Sequence, residues 1–160
     1  MASANKTPAV TDLKTVESVN YTAIQTGPLD KLLHREWPLP HSDKPARGKF
    51  FLKEFLGLTG MQVSLNQLPA GKGTPFIHSH KENEELYLFF GGQGELLVDG
   101  DLIPVTEGSA VRISVNGERA IRNTSQTEDL FFIVVQAKEG SLSQHTFDDG
   151  IRSKQAPPWH

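Results

Sequence analysis

The sequence predicts an all-β domain, and three observations carry this prediction. Short apolar runs recur through residues 50–137 and are separated by Gly, Pro, Asn or Asp about every eight to twelve residues. Residues 61–66 alternate strictly between apolar and polar side chains, which is typical of a strand with one buried face. Asp99-Gly100 lies between two apolar runs and is a strong hairpin signal. Together they indicate a β-sandwich or barrel, with an open antiparallel sheet packed on a helix as the alternative.

The chain divides into an N-terminal extension at 1–48, a β-domain at 49–137 and a C-terminal extension at 138–160. Within the first extension, we expect an arm or edge strand up to residue 27. A short helix from Pro28 and a proline-rich loop at 38–48 follow. The polar residues 138–160 are predicted to form an arm. Strands are predicted at 50–56, 61–66, 77–80, 85–90, 95–98, 102–105, 110–115, 120–123 and 130–136.

Composition narrows the possible functions. The chain has 160 residues, a formal net charge of −3 and no clustered basic residues, so no nucleic-acid partner is expected. It has no cysteine, which excludes disulfides and thiolate metal ligands. Its apolar runs are much shorter than the roughly 20 residues of a membrane-spanning helix, and no membrane partner is expected. The first residues lack the apolar stretch of a secretory signal, so we expect a cytoplasmic protein.

The strongest functional signal is a pair of histidines followed by acidic residues. His78 and His80 project to the same face if they lie on a strand. A short turn then brings a carboxylate opposite them, and two imidazoles with one carboxylate suit a divalent transition metal. Glu84 and Glu85 point to opposite faces, so only one of them can be the ligand. The alternative interpretation is an ordinary charged turn.

These residues form part of a longer pattern that resembles the cupin superfamily. The match starts with Gly73-x4-His78-x-His80-x4-Glu85-x6-Gly92 and continues through Gly92–Gly100, Pro104–Ile113 and Asn123-Thr124-Ser125. The resemblance implies a jelly-roll barrel, a double-stranded β-helix, with a metal inside it. It also implies Glu85 as the ligand, because Glu85 keeps the six-residue step to Gly92. Glu84 is the alternate, since Glu84-x6-Gly91 fits a shorter turn.

The second part of the pattern departs from metal-binding cupins. These proteins normally supply a third histidine four residues before the asparagine, and here Arg119 occupies that position before Asn123. Arginine is permanently protonated and does not coordinate a cation. Arg119 is therefore interpreted either as a ligand-binding residue or as an ordinary surface-turn arginine. Tyr87 shares the face of Glu85 and is predicted to line the interior, as packing or as a wall for a ligand.

Taken together, these features predict a small cupin with one divalent metal, Fe, Mn, Ni or Zn, held by His78, His80 and Glu85. Its partner is predicted to be a small molecule such as an organic acid or a sugar-like compound, handled in an oxygenase-like or isomerase-like reaction. The alternatives are a non-catalytic ligand sensor with weak or no metal, and a metal-free isomerase or epimerase. We also expect a homodimer, with residues 50–56 as a possible exchanged strand.

Overall fold

The computed structural model describes residues 13–37, 45–144 and 146–159. The predicted connecting loop at 38–48 lies mostly outside these residues. The strands are β1 Thr15–Ser18, β2 Tyr21–Ile24, β3 Glu36–Trp37, β4 Ala46–Arg47, β5 Lys49–Phe51, β6 Gln62–Leu68, β7 Asn83–Gly91, β8 Gln93–Val98, β9 Asp101–Thr106, β10 Ala110–Ile113, β11 Arg119–Asn123 and β12 Leu130–Lys138. The helices are a 3-10 helix Leu29–His34, α1 Lys53–Leu56 and α2 Thr146–Asp149.

Two antiparallel sheets form the body of the molecule. The larger has the strand order β10-β7-β12-β6-β5, and the smaller has the order β11-β8-β9. The chain before β7 extends the smaller sheet through two isolated bridges, Gly73 with Arg122 and His78 with Arg119. This arrangement confirms the predicted all-β class.

The space between the two sheets is filled by apolar side chains. Three inward-facing rings, Tyr87, Phe89 and Phe132, pack with centroids 5.6 to 6.4 Å apart. Such contacts add to the free energy of burying the rings. The remaining buried members of this core are Leu96, Val105, Ile113, Ile121, Leu130 and Val134.

Strand β6 shows how the alternating pattern is used. Its polar side chains Ser64 and Asn66 face the barrel interior and are almost fully buried. Asn66 donates hydrogen bonds to the Ser64 hydroxyl and to the Phe132 carbonyl, which compensates for its burial. The polar face of the alternating pattern therefore lies inside the barrel and not in water.

The apolar face of β6 packs against the N-terminal extension. Leu32 of the 3-10 helix, Phe50 of β5 and Leu65 of β6 form a second core on the outer face of the larger sheet. The predicted strand at 50–56 is therefore two elements, β5 and α1. The structure buries Phe50 completely within its own chain, and the homodimer stays a prediction.

The outward face of β7 is exposed, although residues 86–90 form a continuous apolar run. Leu86 is 37% exposed and Phe90 is 50% exposed. β7 lies between β10 and β12, away from the side of the sheet that the N-terminal extension covers. Only the inward face of β7 therefore belongs to the barrel core.

The turn from β7 to β8 requires glycine at position 92. Gly92 has φ +80°, a conformation that is unfavourable for residues with a side chain. A Cβ atom there would lie 2.3 Å from the Asp129 carbonyl oxygen. Glycine therefore lets the backbone pass close to residue 129 and fixes the path between the two sheets.

The C-terminal extension packs little against the barrel. Leu142 is 85% exposed and Ile151 is 98% exposed, and α2 is the one regular element described after β12. Over the described residues, the structure contains no helix with the length and hydrophobicity that a bilayer crossing requires.

Candidate metal centre

The two histidines come from the segment that precedes β7. The sequence predicted a strand at 77–80, but the structure forms only an isolated bridge there. The His78 amide donates to the Arg119 carbonyl at 3.1 Å, and the Arg119 amide donates to the His78 carbonyl at 2.9 Å. This bridge anchors the segment on β11, and the His78 and His80 rings lie with centroids 5.4 Å apart.

The carboxylate comes from the buried face of β7. Glu85 is 5% exposed and pairs with Gln136 of β12 and Ile113 of β10 in the sheet. His80 Nε2 lies 3.0 Å from Glu85 Oε1. His78, His80 and Glu85 each offer a ligand atom, and these atoms all lie within 4.8 Å of one another. The structure thus brings the three predicted ligands together, and metal binding by them stays a prediction.

The alternate ligand Glu84 lies elsewhere. Its carboxylate is paired with the exposed guanidinium of Arg112, which also contacts Glu139 at 2.6 Å. Adjacent residues on a strand point to opposite faces, so Glu84 faces away from the histidines. Arg112 is likewise engaged outside the barrel, in its ion pairs with Glu84 and Glu139.

Arg119 is not a surface arginine, and that interpretation is wrong. Its side chain is fully buried, and its Nε donates to Glu85 Oε2 at 3.0 Å. Nη2 lies 2.7 Å from the same oxygen as an ion-pair contact, and Nη1 donates to the Gly117 carbonyl at 2.8 Å. A permanent cation therefore stands where a metal-binding cupin would place its third histidine.

Tyr87 completes the environment of the same carboxylate oxygen. Its hydroxyl donates to Glu85 Oε2 at 3.0 Å, so Arg119 and Tyr87 both engage that atom. Burial and the Glu85 charge raise the pKa of Tyr87, which keeps it a neutral donor. Oε1 is left facing His80. Groups that orient a ligand in this way commonly surround metal ligands.

The protonation states of the cluster suit a cation. Burial raises the pKa of Glu85, but the hydrogen bonds from Arg119 and Gln136 and the charge of Arg119 outweigh it, so the net shift is downward. Burial, followed by the charge of Arg119, lowers the pKa of His78. At neutral pH the site therefore holds an ionised carboxylate and a neutral imidazole, the forms that bind metal.

The same shifts predict that acid destabilises the fold. The pKa of His78 in the folded protein lies below its unfolded value of 6.5, so the folded protein is harder to protonate than the unfolded chain. The free energy of unfolding is therefore highest above pH 6.5 and decreases as pH falls below that value. Glu85 acts in the same direction below its ordinary value of 4.5. Urea unfolding between pH 8 and 4 should therefore show decreasing stability, and His78→Gln should flatten the curve between pH 7 and 5. An unchanged slope in that variant would contradict the assignment to His78.

Sequence reasoning missed Gln136. Its Nε2 lies 2.8 Å from His80 Nε2 and 3.0 Å from Glu85 Oε1, and its Oε1 accepts a hydrogen bond from Asn83 at 3.1 Å. In the sequence it is only the last residue of a predicted strand. Its role depends on the register that sets it opposite Glu85 across β7 and β12, and no local signal reports that register.

Lys49 was missed as well. Strand alternation turns it inward, because its neighbour Phe50 belongs to the outer core. Its Nζ lies 4.9 Å from the centroid of the Phe51 ring. Burial lowers the pKa of Lys49, and the charge of Glu85 partly offsets this. Among the residues that the structure describes, no carboxylate lies within ion-pair distance of Lys49.

A surface cleft reaches the edge of the cluster. It has a volume of about 350 Å³, and its walls include Gln136, Asn83 and Gln62. Gln136 therefore contacts both the cleft and the two predicted ligands. A larger open cleft of about 570 Å³ lies beside Gly73 and Arg122 and includes none of the cluster residues.

The residues present fit a divalent metal. Neighbouring ligands in an octahedral site with bonds of about 2.1 Å lie about 3.0 Å apart, and the His80–Glu85 separation is 3.0 Å. In addition, His78 Nδ1 is buried and has no hydrogen-bond partner in the described part of the chain. Such an orphaned ring nitrogen is costly unless a ligand satisfies it.

Two antiparallel sheets enclose a site formed by two histidines and a glutamate, which is the combination that the cupin resemblance implied. The chain belongs to the cupin superfamily, as its resemblance predicted, and the jelly-roll fold is confirmed. It is similar to a cupin protein from Bacteroides fragilis, with 36% identity over 74% of this chain and 97% of that protein, at a TM-score of 0.63.

A second solved structure is related more distantly. It is a candidate sugar phosphate isomerase from Acidithiobacillus ferrooxidans, with 27% identity over 56% of this chain and 58% of that protein, at a TM-score of 0.50. No family profile matches the sequence, and no curated protein matches it significantly.

Proposed function

We propose that this protein binds one divalent transition metal through His78, His80 and Glu85 and acts on a small organic anion beside it. The observation that carries the proposal is the convergence of the three ligand atoms within 4.8 Å. When bound, such a metal supplies Lewis acidity and open positions for oxygenase-like or isomerase-like chemistry. The chain's own residues prepare the site, because Arg119 and Tyr87 orient Glu85 so that Oε1 faces His80.

The charges inside the barrel support an anionic ligand. Lys49 and Arg119 are two inward-facing cations, and Glu85 is the one buried carboxylate among the described residues. Arg119 is paired with Glu85, which leaves the Lys49 ammonium without a counter-ion. An organic acid or a sugar phosphate would provide one, since a partly buried ammonium is stabilised by an opposite charge. The related candidate sugar phosphate isomerase makes the second class worth testing.

A second candidate function is metal-free binding of the same anion. It is favoured by the buried Arg119–Glu85 ion pair, which already neutralises the carboxylate that a metal would use. In this version the protein would be a ligand sensor or a metal-independent isomerase, and His80, which is partly buried and next to Glu85, would be its candidate base.

Calorimetry with the chelator-treated full chain separates these candidates. We expect one Mn²⁺, Ni²⁺ or Zn²⁺ ion to bind per chain. Absence of stoichiometric binding for all three ions would reject the metal-dependent version. The metal-loaded and metal-free proteins would then be titrated with two anions, malonate and glucose 6-phosphate. Malonamide and glucose, their uncharged counterparts, are the controls. Anion binding only to the loaded form supports the first candidate, and equal binding to both forms supports the second.

Lys49→Met tests the anion site in the same titrations. Methionine keeps most of the length of the side chain and removes its charge, so anion affinity should fall about tenfold or more, which corresponds to at least one charge-assisted contact. Metal affinity should not fall. Lys31→Met, at an exposed lysine of the 3-10 helix Leu29–His34, is the matched control and should bind like the wild type. Equal anion affinity in both variants would remove Lys49 from the site.

A further inference from the structure

Three atoms meet in a small triangle at the edge of the cleft. His80 Nε2 and Glu85 Oε1 are 3.0 Å apart, and the Gln136 amide nitrogen lies 2.8 Å from the first and 3.0 Å from the second. These edges match the spacing of about 3.0 Å between neighbouring ligands around a metal with bonds of about 2.1 Å. The triangle therefore has the dimensions of one face of an octahedral site.

Hydrogen bonds alone do not satisfy this triangle. If Gln136 donates to His80 Nε2, that nitrogen carries a lone pair and faces the Glu85 oxygen without a proton between them. If instead His80 Nε2 carries the proton and donates to Glu85, it meets the amide nitrogen of Gln136 as a second donor. One of the three short contacts is therefore unfavourable in either histidine tautomer.

We propose that the Gln136 side-chain amide oxygen is a metal ligand that takes the place of the missing third histidine. A half-turn of the amide exchanges its oxygen and nitrogen, so the oxygen then faces His80 and Glu85. With His78, the ligand set becomes two imidazoles, one carboxylate and one amide oxygen. Oxygen and nitrogen donors of this kind suit Mn²⁺, Ni²⁺ or Zn²⁺.

Asn83 makes this half-turn possible without loss of a hydrogen bond. Its Nδ2 now donates to Gln136 Oε1 at 3.1 Å. When the Gln136 amide turns, its nitrogen takes the position next to Asn83. A matching half-turn of Asn83 then presents an oxygen to accept from it. The two amides thus have one arrangement for the metal-free site and another for the loaded site.

Variants at position 136 test this inference, which rests on the proposed metal site. We expect Gln136→Leu to weaken Mn²⁺ and Ni²⁺ binding tenfold or more in calorimetry, and Gln136→Glu, which supplies a charged oxygen, to strengthen it. Co²⁺-loaded Gln136→Leu should also show an altered visible absorption spectrum, because its ligand set has changed. Gln62→Leu is the matched control and should bind metal like the wild type. Gln62 lies on β6, pairs with Gln136 of β12 and lines the same cleft.

The outcomes separate this inference from the proposal on which it rests. If the wild type and Gln136→Leu bind metal with equal affinity and give equal Co²⁺ spectra, Gln136 is not a ligand and the metal site stands. If the wild type binds no metal, both proposals fall. Should Gln136→Leu fail to fold, Gln136→Glu decides, because a metal affinity no higher than that of the wild type overturns the inference.

Discussion

The double variant His78→Ala/His80→Ala is expected to lose metal binding almost completely. Removal of groups that only orient a ligand already weakens metal sites about 10- to 100-fold, so loss of two direct ligands should exceed about 1,000-fold. The wild type should retain close to one metal per chain after purification without added metal, and the double variant less than about a tenth of that. Elemental analysis of the two proteins provides the measurement.

This result has a direct control. His34 lies in the 3-10 helix Leu29–His34, is exposed, and does not belong to the cluster, so His34→Ala should bind metal like the wild type. Circular dichroism should show that the double variant remains folded, since both cluster histidines are partly exposed. Equal metal content in the wild type and the double variant would show that the metal, if present, binds elsewhere.

Arg119→Met is expected to cause the largest loss of stability. Its guanidinium is fully buried and paired with Glu85, which is 5% exposed. Removal of one partner from a buried ion pair typically costs about 3–5 kcal/mol, because the other charge remains buried without compensation. Urea unfolding of the chelator-treated protein at pH 7 measures this cost without any contribution from metal binding.

Two further variants test whether the loss of stability comes from the buried ion pair. Arg122→Met removes an exposed arginine that pairs with Glu95, and exposed pairs contribute about 1 kcal/mol or less. Arg119→Met/Glu85→Gln removes both buried charges and should recover much of the lost stability. If Arg119→Met cost no more than Arg122→Met, the Glu85 carboxylate would have to be solvated in the folded protein.

The sequence predicted most of the barrel strands and three ligand candidates because local signals report them. His78, His80 and the alternation in β6 are visible over a few residues. The fully buried position of Arg119 is not, because the bridge to His78 joins segments about 40 residues apart. An arginine beside a turn normally lies in water, and here the Glu85 carboxylate holds it inside.

The site residues that the sequence analysis missed owe their positions to strand register or to the second core on the outer face of the larger sheet. Gln136 reaches the cluster because β12 pairs with β7 so that it stands opposite Glu85. Lys49 turns inward because the outer face of β5 is committed to the core around Phe50. Both facts follow from how distant segments dock, and neither leaves a pattern in neighbouring residues.

The second core also changes what counts as the smallest independent unit of this protein. A shortened chain that begins at residue 49 would keep every cluster residue but leave Leu65 and Ile133 without their cover from Leu32. Such an exposed hydrophobic patch favours self-association and aggregation. The N-terminal extension thus covers the outer face of the larger sheet. A truncated form of the protein should therefore retain this extension.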